Sequence, residues 1–226
     1  MILQGLISVS ERRLMLKKLL ILSCLIILPA CLLAQPKGYK AVADKPAFTK
    51  KMERAAGLTN GLKAEFIQEK NLSAIEETII SSGTFLFKKP GKIRMEYSSP
   101  FKYLMIISDG KVTIRDGQKT NSFSSRGNKL FTLVNNIMID CMQGTILTNK
   151  DFTHEIFEND SQYLVRLKPS GKEMKNYFES ISVVMTKNEA EVLQIIMSEP
   201  SGDNTVIKFN NRQLNAKIPD TDFVVR

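Results

Sequence analysis

The period of apolar positions changes several times along the chain, and each change marks an element. Between Pro46 and Gly57, Phe48, Met52 and Ala55 recur at i, i+4 and i+7, the stripe of a short helix that Gly57 should stop. From Leu62 the period drops to two. Leu62, Ala64 and Phe66 alternate with Lys63 and Glu65, and after a break near Asn71 the β-branched and aromatic stretch Thr78 to Phe87 reads as a second strand. The turn Lys89-Pro90-Gly91 leads into the cleanest alternation, with Ile93, Met95 and Tyr97 on one face and Lys92, Arg94 and Glu96 on the other. Pro100 ends it. An apolar strand from Tyr103 to Ser108, an Asp109-Gly110 hairpin, a partner strand Lys111 to Arg115 and a second Asp116-Gly117 turn into Gln118 to Ser124 complete an antiparallel meander.

One helix interrupts the strands. From Asn128 on, Leu130, Leu133, Val134, Ile137 and Cys141 fall at helical spacing, Phe131 and Met138 widen the stripe, and Gly144 closes it. Strands are then predicted over 152–157, 163–168, 178–186, 191–198 and 205–209, separated by polar turns rich in Asn, Gly, Pro and Ser. Eight to twelve antiparallel strands with two helices predict a mainly β fold with some α. The form expected is a single strongly curved antiparallel sheet, an incomplete, unclosed β-barrel covered by helices.

The first 34 residues do not belong to that fold. Met15-Leu-Lys-Lys, the apolar run Leu19 to Leu28 and the small residue Ala34 before polar Gln35 form an export signal, with Met15 as the expected start. The run is shorter than the about 20 apolar residues of a membrane-spanning helix. Cleavage after Ala34 is the preferred reading; Leu28-Pro29-Ala30-Cys31 resembles a lipobox, and acylation of Cys31 with membrane anchoring is its alternative. Residues 35–46 read as a flexible leader and 47–226 as one domain.

That segment also changes the composition. The chain of 226 residues carries 32 Lys and Arg against 23 Asp and Glu, a net charge of +9 that invites a nucleic-acid reading. Four of those bases and one acid lie in 1–34, so the remainder carries +6, and no basic block interleaved with aromatics appears in it. Nucleic acid is not an expected partner. Cys24 and Cys31 leave with the signal, so Cys141 alone remains and reads as a buried core residue. With one histidine, His154, no nucleophile elbow and no phosphate-cradling loop, the sequence offers no catalytic constellation, no metal site and no cofactor motif.

The apolar inventory is more informative. Phe66, Phe85, Phe87, Ile93, Met95, Tyr97, Leu104 and Ile106 on the strands, with Leu130, Leu133, Val134 and Ile137 on the helix, are expected to face one side of the sheet. A closed core is the ordinary outcome. A sheet this wide has more inner surface than two helices fill, however, and ten methionines suit an adaptable apolar cavity.

The run Gly83-Thr-Phe-Leu-Phe-Lys-Lys-Pro-Gly-Lys-Ile-Arg-Met-Glu-Tyr-Ser-Ser-Pro100, then Ser108-Asp-Gly-Lys-Val-Thr-Ile-Arg-Asp116, preceded by Phe66-Ile67-Gln68, resembles the periplasmic outer-membrane lipoprotein carrier family, of LolA type. Order and spacing match over residues 46–226. The resemblance implies a monomeric, non-enzymatic periplasmic carrier that holds lipoprotein acyl chains in the apolar cavity. It also implies an inner-membrane lipoprotein-releasing ABC transporter and an outer-membrane acceptor as partners. A lipid- or glycolipid-binding or lipid-sensing protein of the same fold, anchored through Cys31, is the alternative. Met95 stands where the family often has Trp, and Arg115-Asp116 replaces Tyr-Asp. Lys89 occupies the place of an arginine that latches the lid in some members, and Arg94 matches a family arginine. Both are expected as lid-latch or polar-contact residues, with strict alternation putting Arg94 on the outer face.

Overall fold

The computed structural model describes residues 35–124 and 129–225. The segment expected to be an export signal, with Met15, Cys24 and Cys31, lies outside the described residues. The chain divides into Met1–Gly38 and Tyr39–Arg226, and the architecture below is that of the second unit. Among the described residues no helix is long and apolar enough to cross a membrane.

Among the described residues, twelve strands form one antiparallel sheet. They are β1 Lys40–Ala41, β2 Gly61–Leu72, β3 Glu77–Lys88, β4 Lys92–Ser99, β5 Tyr103–Ser108, β6 Lys111–Asp116, β7 Lys119–Ser124, β8 Phe152–Glu158, β9 Gln162–Pro169, β10 Ser180–Thr186, β11 Val192–Ser198 and β12 Asn204–Leu214. Their spatial order is β1-β8-β9-β10-β11-β12-β2-β3-β4-β5-β6-β7, with β1 and β7 at the two edges. Two meanders, β2 to β7 and β8 to β12, are therefore joined by the pairing of β12 with β2. This is the unclosed antiparallel sheet that the alternation predicts.

Helix α1 spans Lys45–Leu58 and helix α2 spans Lys129–Gln143; α3, Lys172–Lys175, is a single turn. Asp44 caps α1 by accepting from the Ala47 N–H at 2.9 Å, and Pro46 sits in the first turn, where its missing N–H costs nothing. Gly57 does not stop α1. The helix runs through it to Leu58, and the Thr59 N–H, returning to the carbonyls of Ala55 and Ala56, ends it. Phe48 and Met52 of α1 and Ile137, Met138, Cys141 and Met142 of α2 are buried against the concave face of the sheet.

Two further segments depart from the sequence reading. The leader expected over 35–46 is held from Tyr39 onward: Lys40 and Ala41 pair with Glu158 and Phe157, the Tyr39 hydroxyl donates to Gln162, and Val42 is buried. Only Lys40 and Ala41 form the strand, too few residues for an alternation to show, and backbone pairing fixes it. Likewise β12 continues past Phe209 through Asn210, Asn211, Arg212 and Gln213, with a bulge that lets Leu214 pair with Leu62. Asn211 adopts a positive φ of 48° there, a conformation that Asn tolerates better than most side chains.

Candidate functional site

Register decides which strand residues reach the concave face. Leu62, Ala64 and Phe66 of β2 lie opposite Phe87, Phe85 and Gly83 of β3; Ile93, Met95 and Tyr97 of β4 continue the row, and Ile107, Met105 and Tyr103 of β5 follow. Phe66, Phe85, Phe87, Ile93 and Met95 are buried there and Tyr97 is half-buried, its ring meeting Phe66 edge-on at 4.9 Å. Gly83 lies between those two rings in the register, so its lack of a side chain leaves room for their contact.

Leu104 and Ile106 are the exceptions. The pairs Met95 with Met105 and Ile93 with Ile107 turn Met105 and Ile107 inward, so Leu104 and Ile106 lie on the convex face. There they form a separate cluster with Ile218 and Phe223 of the C-terminal segment. Sequence reasoning misplaced them because β5 reads Tyr-Leu-Met-Ile-Ile-Ser, apolar on both faces. Only pairing with β4 distinguishes the two.

On α2, Ile137 is buried, Leu133 and Val134 pack against the core and Leu130 is 44% exposed; of these four, Val134 alone lines the cavity. Between α2 and the sheet is a cavity of about 110 Å³, lined on the sheet side by Gln68, Ile93, Met95, Tyr97, Met105, Ile107, Met197 and Ile207 and on the helix side by Phe131, Val134, Asn135 and Met138. Four of these twelve are methionines, the pliable lining expected of an adaptable apolar site. Phe66, Phe85 and Phe87 do not line this cavity; Phe87 instead borders a void of about 40 Å³ beneath α1. Gln68, Asn135, Met197 and Ile207 were not legible as site residues. Gln68 and Asn135 are polar, and Met197 and Ile207 come from the second meander, which only the β12–β2 pairing brings alongside.

The two polar candidates separate. Lys89 Nζ donates to the Ala56 carbonyl at the C-terminal end of α1, where the helix dipole favours a cation. In the same turn the Pro90 carbonyl accepts from Gln143 Nε2 at the end of α2. The β3–β4 turn thus ties down both helices. Arg94 is on the convex face, paired with Glu96 at 2.7 Å and donating to the Asp222 carbonyl at 2.8 Å. It fastens the C-terminal segment and touches neither helix, because alternation sends it away from Ile93 and Met95. Lys88 and Lys92 hold the same segment through Asp220, and their hydrogen bonds keep that carboxyl below the ordinary carboxylate range.

Cys141 is buried in the core, and burial pushes its thiol far up, away from the reactive thiolate. His154 is exposed on β8. Among the described residues no group of three or more His, Cys, Asp and Glu side chains could hold a metal ion.

This unclosed antiparallel sheet with helices over an apolar face has counterparts among known proteins. The model of the family "Outer membrane lipoprotein carrier protein LolA" matches residues 58–226, and the chain belongs to that family. It is similar to the outer-membrane lipoprotein carrier protein of Pseudoalteromonas translucida, 21% identical over 71% of this chain and 74% of that one. The carrier of Cupriavidus pinatubonensis is 25% identical over the same shares. Among solved structures, a LolA superfamily protein from Nitrosomonas europaea covers 81% of this chain and 99% of its own, at 9% identity and a TM-score of 0.46.

Proposed function

We propose that this protein is a periplasmic carrier that takes up the acyl chains of lipoproteins between its sheet and α2 and passes them from the inner to the outer membrane. The observation that carries the reading is the methionine-lined cavity under a helix tied down at one end. At about 110 Å³ it is smaller than the roughly 300–1,000 Å³ of ordinary ligand pockets. On this reading the cavity is closed, and α2 moves outward for a chain to enter. Each buried CH₂ contributes about 0.8 kcal/mol, which offsets the packing that α2 gives up as it lifts from the sheet. Hand-over then requires only a modest free-energy gap between closed and open states. A monomer serves this role, receiving cargo from a lipoprotein-releasing ABC transporter and delivering it to an outer-membrane acceptor.

The direct test is to purify the full chain from a Gram-negative periplasm, identify co-purified acyl species by mass spectrometry and titrate the stripped protein with a pyrene-labelled fatty acid. Acyl species or saturable binding are expected. Empty protein that binds no labelled chain would falsify the carrier reading. The mass of the mature N-terminus separates a soluble form from one acylated at Cys31.

The turn that fastens both helices makes a second measurement available. Gln143→Ala removes the contact from the end of α2 to the Pro90 carbonyl and should speed uptake of the labelled chain several-fold in stopped flow, while costing about 1 kcal/mol of stability. Unchanged uptake at that stability would show that the lid opens without releasing this turn.

A further inference from the structure

The cavity under α2 holds one polar group with no partner. Asn135 is 8% exposed, lines the cavity and has an Oδ1 that accepts no hydrogen bond. Its neighbours in the helix wall are apolar, namely Phe131, Val134 and Met138. An unpaired buried amide oxygen is costly, a cost that leucine or methionine at the same place would avoid. A purely hydrocarbon cavity gives no reason for it. The other two polar residues of the lining are already joined to each other: the Tyr97 hydroxyl donates to Gln68 Oε1 at 3.0 Å. Burial pushes the Tyr97 phenol up to about 12, so it stays a neutral donor. With its oxygen engaged, Gln68 keeps its amide hydrogens for an acceptor on a ligand, whereas Asn135 Oδ1 needs a donor.

We propose that Asn135, with Gln68 and Tyr97, forms a polar subsite inside the apolar cavity that recognises an amide at the head of a bound acyl chain. Asn135 accepts from the ligand's N–H, and the Gln68 amide group donates to its carbonyl. The proposal rests on the acyl-binding reading above and adds selectivity to it. An acyl amide supplies both groups in one planar unit, whereas an acyl ester supplies acceptors only and leaves Asn135 unpaired. The amide relieves the unpaired oxygen that the ligand-free cavity already carries, whereas the ester leaves it in place, and a site built to hydrogen-bond a ligand N–H discriminates strongly against an analogue lacking it.

The test compares N-methylpalmitamide with methyl palmitate, which differ by N–H in place of O, as competitors of a pyrene-labelled fatty acid on wild type and Asn135→Leu. The amide-to-ester affinity ratio should fall about tenfold, about 1.4 kcal/mol, in the variant, with ester affinity kept. Taking the ratio of ratios removes the different hydration of the two ligands. Equal ratios in the two proteins overturn the subsite and leave acyl binding standing. Failure of wild type to bind either compound overturns acyl binding and the subsite together. Because Asn135→Leu removes an unpaired polar atom, its unfolding midpoint should match or exceed that of wild type. If it does not fold, Asn135→Met makes the same comparison with an unbranched side chain.

Discussion

Val134→Phe is expected to lower affinity for a pyrene-labelled acyl chain about a hundredfold, about 2.7 kcal/mol, while the protein stays folded. Val134 faces the cavity of about 110 Å³ from the middle of α2, flanked by Phe131 and Met138. A benzyl group there occupies the space into which an acyl chain would first insert. The gap already exists, so filling it improves packing instead of forcing core side chains apart, and the unfolding free energy should hold or rise by about 1 kcal/mol. Equilibrium titration and urea unfolding on the same preparation separate the two effects. Undiminished binding would send the ligand elsewhere, the strongest remaining place being the open convex groove of about 960 Å³ bordered by Glu96, Lys102, Arg115 and Val225. In that case the concave face would be core alone.

Gly83→Ala should cost the most stability, about 3 kcal/mol or more, read as a lower urea midpoint or as loss of soluble protein. A Cβ at this position would lie 1.9 Å from the Glu96 carbonyl oxygen and 2.9 Å from the Tyr97 Cα, both backbone atoms of the paired strand. Neither can turn away as a side chain would, and the β3–β4 register already shifts between Ser82 and Gly83. Displacing β4 would also move Tyr97 from Phe66 and Gln68, so any protein that does fold should lose acyl binding as well. A variant with wild-type stability would mean that the register shift relaxes to accept a methyl group.

How much of this was legible in sequence depended on whether a residue's position is set by its own strand or by a neighbour. Ile93, Met95 and Tyr97 alternate with charged residues, so one strand alone fixes their face. Leu104 and Ile106 sit in a strand with no polar face, so their side follows from pairing across the Pro100 turn, a property of two strands. The same holds for Met197 and Ile207, which reach the cavity because β12 lies beside β2 from 130 or more residues away. Asn135 escaped for a different reason. A single polar residue on an otherwise apolar helix face looks like surface until burial shows that solvent does not reach it. Lys89 and Arg94 were distinguishable in part: alternation correctly sent Arg94 outward, but the carbonyl that Lys89 meets belongs to α1, which no local pattern could locate.

The β12–β2 seam has a consequence for how the chain folds. Phe66 pairs with Phe209, and Lys208 bonds Glu69 across a separation of 139 residues at 2.6 Å. The first meander therefore cannot complete the outer edge of β2 until almost the entire chain is present. Contacts this distant in sequence form slowly, since the entropy of closing the long loop precedes any reward. A chain made progressively from its N-terminus therefore cannot complete its native sheet until β12 arrives.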